Sequence, residues 1–113
     1  MREPSQRKLA RKIEQYRLPD STVVKIYVKR AADDEPSKPL IIYFRCQIGT
    51  EWVTYRVILT EGLRAVLQAK GTSDDTVIQV CGRYVKHEIS RGSRVDGTEL
   101  EFGPLQEELF PAT

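Results

Sequence analysis

Trp52, Tyr27 and Tyr43 share a parity with Lys25, Lys29, Arg45 and Arg56 along three alternating stretches of the chain. Side chains alternate between the two faces of a strand, so residues of one parity meet on one surface of a sheet. Flat rings offer stacking platforms to unpaired bases, and cations beside them follow a phosphate backbone. This combination is the chemistry of single-stranded nucleic acid binding, tolerant of sequence because every base has a π-face. The same residues suit other roles. Exposed antiparallel faces use Tyr, Thr, Arg and Lys for cross-strand packing, and Tyr, Trp and Arg dominate the energetics of protein interfaces.

Metal and covalent chemistry has little to work with. Cys46 and Cys81 are the only cysteines and His87 the only histidine, too few for a zinc set. No phosphate-cradling glycine loop, nucleophile elbow, HExxH or CxxC pair occurs. The clusters Asp33-Asp34-Glu35, Asp74-Asp75 and Glu107-Glu108 fall in turn-like or tail stretches and read as solvated loops. No cofactor, metal or catalytic residue is expected, and the chain reads as a non-enzyme. Cys46 is expected in the core, whereas Cys81 shares its parity with Gln79 and Arg83, so no disulfide is expected. His87 reads as a polar edge residue.

Presenting those rings and cations on one face requires strands, which the β-branched alternation predicts over residues 22–30, 40–48 and 51–59. Gly49-Thr50 has the Gly-first signature of a tight type II′ hairpin and sets the register. Ile42 then faces Val57, Phe44 faces Tyr55 and Cys46 faces Val53 on the core side. Tyr43–Arg56, Arg45–Thr54 and Gln47–Trp52 alternate with them on the other face. Val24, Ile26 and Val28 complete the core side, leaving Lys25, Tyr27 and Lys29 opposite. These three strands put no acid on the ring-bearing face. Residues 60–70 predict a helix with Leu63, Val66 and Leu67 on one stripe, capped by Thr60 and ended by Gly71. Residues 76–89 predict a fourth strand bent at Gly82, and 99–102 a short fifth. Residues 5–17 predict a basic helix, with Ser5 as N-cap, Leu9, Ile13 and Tyr16 at helical spacing, and Pro19 ending it.

With 113 residues the chain is sized for one domain. Its net charge of +2 is unevenly spread: nine Lys/Arg against three acids in residues 1–30, nine against thirteen afterwards. Such asymmetry points to a polyanion partner. The expected division is a basic N-terminal helix or arm over 1–19, then a β body over 20–113 with a short acidic tail. No apolar run approaches the ~20 residues of a membrane span, and no secretory h-region opens the chain, so a cytoplasmic, membrane-free location is expected.

Three antiparallel strands, a helix and two further strands is the order of the five-stranded Greek-key barrel, the OB-fold. Val80-Cys81-Gly82-Arg83-Tyr84-Val85, a polar loop and Glu99-Leu100-Glu101-Phe102 resemble the second half of bacterial single-stranded-DNA-binding and primosomal replication proteins. The resemblance implies an OB-like barrel and places Arg83, Lys86, His87, Arg91 and Arg94 on a DNA-contacting strand and loop beside the aromatic face. It also implies a possible homo-oligomer and a partner-recruiting C-terminal tip in Gln106–Thr113. The departures are the absence of the family's early-strand glycine, the basic leading segment, and the lack of a long Gly-rich tail. The rival function is a protein-interaction module, or a small subunit of a larger complex, using the same face.

Overall fold

The structure, a computed structural model, describes residues 10–30, 35 and 37–112. Five strands form one mixed sheet in chain order: β1 Arg11–Arg17, β2 Val23–Arg30, β3 Leu40–Ile48, β4 Glu51–Leu59 and β5 Thr98–Phe102. Helices α1, Glu61–Lys70, and α2, Asp74–Ser90, link β4 to β5, and a 3₁₀ helix, Pro104–Leu109, follows. Strands β1 to β4 are antiparallel neighbours, whereas β5 lies parallel to β4. A parallel neighbour needs a long crossover, and the two helices supply it. The chain is thus mainly β, with helices layered on one face.

The expected register is the observed one, from Leu40 opposite Leu59 to Gln47 opposite Trp52. Gly49 turns the hairpin at a left-handed φ of 63°, which glycine adopts without steric cost. Inward residues of β2–β4, among them Ile26, Phe44, Val53 and Tyr55, are buried, as are Leu63 and Leu67 of α1. Thr60 caps α1 by accepting from the Leu63 N–H, and Gly71 closes it at φ 79°.

Three expectations are corrected. Residues 76–89 are not a strand but most of α2. Val77, Cys81, Val85 and Ile89 recur every fourth residue and are all buried, and the Ser73 hydroxyl accepts from the Thr76 N–H. Asp74 and Asp75 are first-turn acids that complement the helix dipole, not loop residues. Cys81 therefore points into the core, and both cysteines are buried and free.

Residues 11–17 are not a helix but the edge strand β1. A bulge between Lys12 and Glu14 sets two residues of β1 against Ile26 alone. Ile13 and Tyr16 consequently both pack on the core at a spacing of three, which imitates a helical stripe. Pro19 sits in the β1–β2 connection, where Ser21 takes φ 75° and the Asp20 carboxylate accepts from the Thr22 N–H. The division expected at residue 19 thus falls inside one continuous sheet; Ser5 and Leu9 lie outside the described residues.

Finally, the sheet is open. Among the described residues β1 and β5 are its two edges, and no pairing closes a barrel. The segment wanted as a barrel strand has become a helix that covers the apolar face from one side. The C-terminal tip is also docked: Phe110 is fully buried against Phe102, and Lys70 Nζ donates to the Glu107 carbonyl.

Candidate nucleic-acid interface

Antiparallel register arranges the outward side chains of the sheet in rows across the strands. One row runs Gln15, Lys25, Gln47, Trp52; the next runs Lys12, Tyr27, Arg45, Thr54. A third runs Lys29, Tyr43, Arg56 and, through the parallel strand, Glu99. The seven ring and cation positions expected on this face, Lys25 to Arg56, are all there.

Trp52 is 45% exposed, the largest side chain held so far into solvent on the sheet. Its ring lies 5.8 Å from that of Tyr27, tilted by 40°, although β3 separates their strands. The Arg45 guanidinium lies 4.9 Å from the Trp52 centroid, within range of a cation–π attraction. Rings held by neighbours lose less side-chain freedom when a ligand arrives. Among the described residues, no carboxylate lies within ion-pair distance of Lys25, Lys29 or Arg45.

Arg56 is different. It pairs with Glu99, and donation to the Tyr43 hydroxyl and to that carboxylate holds its pKa above the ordinary guanidinium value. The acid comes from β5, which carries Glu99 and Glu101 onto the face beside Arg56 and Ile58. Acid-free as the three central strands are, the whole face is graded, from basic at β1 to acidic at β5. Between the Tyr27 row and the Tyr43 row lies a groove of about 240 Å³ lined by both tyrosines, Lys29, Arg45 and Thr54, with Ala10 at its β1 end.

The second expected group does not join this face. Arg83, Lys86 and His87 lie on α2, and Arg91 and Arg94 on the loop after it. Helix α2 packs on the opposite side of the sheet, with Gly82 against Ile13 and Phe44. Lys86 pairs with Glu14 and lies 4.6 Å from the Tyr16 ring centroid; Arg91 lies 3.5 Å from Glu88. Arg94 Nε donates to the Ile89 carbonyl at 3.1 Å, and Arg83 faces solvent beside Tyr84 and His87. These side chains follow the helix, which turns them away from the rings.

Lys12 is the further cation of this face that helical periodicity hides. As a strand residue it stands opposite Tyr27 and donates to Gln15 Oε1 at 3.0 Å. The bulge removes the alternation that would have revealed it.

Among the described residues no three His, Cys, Asp or Glu side chains gather as a metal site would need, and no helix is long and apolar enough to cross a membrane. No protein-family model, curated protein or solved structure matches the chain.

Proposed function

We propose that this chain is a non-catalytic binder of single-stranded nucleic acid, DNA in the first instance, through the open face of its sheet. The observation that carries the proposal is the cluster of exposed Trp52 and Arg45 with half-buried Tyr27, flanked by Lys25 and Lys29 without acidic partners among the described residues. Rings at the surface serve unpaired bases, whose faces are free; in a duplex those faces are stacked away. The arginines of α2 and its loop take no part. The proposal therefore rests on the sheet face alone, since Val80–Val85, which carries the family resemblance, is helical.

Lys12, Lys25, Lys29 and Arg45 give four phosphate contacts. At ~0.7 per neutralised phosphate, log K falls against log salt with a slope of about −3. The test is a titration of Trp52 fluorescence with oligo-dT, oligo-rU and a duplex of equal length, at several salt concentrations. Quenching at saturation, tighter binding of the single strands and that slope support the proposal. Unchanged emission, or affinity indifferent to salt, removes the face from nucleic acid and favours its use as a protein interface.

A further inference from the structure

We infer that the bound strand runs across the β-strands, in the groove between the Tyr27 and Tyr43 rows, and that Glu99 and Glu101 stop it at β4. The inference rests on the proposed function and adds the path and extent of the ligand. The groove follows the rows, from Ala10 beside β1 to Thr54 on β4. Three inter-strand spacings separate β1 from β4, about 14 Å in all. Along that distance the flanking charges are Lys12, Lys29 and Arg45, all positive.

Beyond β4 the sign reverses. Glu99 stands opposite Arg56 and Glu101 opposite Ile58, both on the outward parity of β5. Arg56 is engaged by Glu99 and by the Tyr43 hydroxyl, which compete with a phosphate for its donors. A phosphate carried past Thr54 meets three carboxylates: Asp96, which accepts from the Thr54 N–H, then Glu99 and, one row further along β5, Glu101. The two glutamates are specificity residues: they do not hold the ligand but set where its footprint ends, which keeps the site short.

The test compares the wild-type chain with the Glu99→Gln/Glu101→Gln variant, using a length series of oligo-dT across a range of salt. Wild-type affinity reaches its plateau at about 4 nucleotides, the low end for a small single-strand-binding domain. In the variant, the freed Arg56 takes a further phosphate. The salt slope steepens by about 0.7, affinity at fixed salt rises several-fold, and the plateau moves to longer oligomers. Glu101→Lys, which leaves the Arg56–Glu99 pair in place, steepens the slope by a similar amount. Glu61→Gln/Glu108→Gln removes the same charge from the helices and changes affinity less than about twofold, as screening over that distance requires.

A wild-type chain that binds no oligo-dT at any length overturns the proposed function, and the path with it. Binding by the wild type with slope and plateau unchanged in both β5 variants overturns the path alone. So does an equal gain in the helix variant, which traces the effect to net charge.

Discussion

At Trp52 the proposed function is most exposed to test, because the chain holds one tryptophan and it lies in the ring cluster. Stacking is worth about 1–3 kcal/mol per base by alanine substitution. Trp52→Ala and Tyr43→Ala are therefore expected to weaken oligo-dT binding by about 5- to 150-fold at fixed salt, with the salt slope unchanged. If the rings serve cross-strand packing alone, the substitutions lower stability and leave affinity as it was. The arginines divide differently. Arg45→Ala is expected to flatten the slope by about 0.7 and, by removing the cation beside the ring, to alter Trp52 emission. Arg56→Ala is expected to leave the slope unchanged, because its guanidinium is already paired with Glu99. Parallel salt titrations of the two variants check both outcomes. From sequence alone Arg45 and Arg56 have the same standing, since both occupy the outward parity of adjacent strands. What separates them is a residue more than forty positions away.

Among the elements, α2 shows how local preference and packing diverge. Its β-branched residues and tyrosine suit a strand, yet the four-residue spacing from Val77 to Ile89 gives a stripe that covers the sheet's apolar face. Gly82 lies in the middle of that stripe. A methyl added there would meet Ile13 Cδ1 at 3.7 Å and Phe44 Cε2 at 3.8 Å, ordinary contact distances. Gly82→Ala is thus expected to stabilise the fold by about 0.5–1 kcal/mol, through the helix preference of alanine and a stiffer unfolded chain. The urea midpoint should rise with the slope of the transition unchanged. A fall would mean that the helix sits closer to the sheet than these distances allow. Strand β1 is the converse case. Its charged, bulged sequence is that of a protected sheet edge, and the ion pairs Arg11–Asp75 and Glu14–Lys86 link it to α2. Both pairs are partly exposed and hold orientation more than stability.

At the scale of the molecule, one buried layer joins four ionisable groups to the fold. Burial pushes the Cys46 and Cys81 thiols up to about 12 from 9.0. It likewise pushes the Tyr16 and Tyr55 phenols up to about 12 from 10.0. The unfolded chain ionises these groups first, so it binds fewer protons than the folded chain between those values. Their contribution to stability is then complete below pH 9 and lost as the pH rises through 9 and 10 towards 12. Urea midpoints measured from neutral pH to about 11 should be level at first and then fall steeply. A level profile throughout would mean that the four groups are more hydrated than their burial indicates. The same burial slows thiol reagents, because the reactive species is the thiolate.

The β2–β4 face was legible in the chain because a strand's alternation and a two-residue Gly-first turn are local devices. Together they determine which of Tyr43, Arg45 and Trp52 lie side by side, and which of Phe44 and Val53 are buried, before any tertiary contact exists. The limits of helix α1 are local too, held by Thr60 and Gly71. Residues 76–89 were ambiguous because single-residue preferences for strand competed with a four-residue apolar spacing. That competition is resolved only when a sheet face needs covering, although the Ser73 cap and the acids after it were a usable sign of a helix. In β1 the bulge destroyed the period that would have announced a strand. The parallel placement of β5 is the least local fact of all. It depends on the crossover through α1 and α2, and it alone brings Glu99 to Arg56 and gives the face its acidic border. Local chemistry thus determined the residues of the candidate site; long-range pairing decided which of them remain available to a ligand.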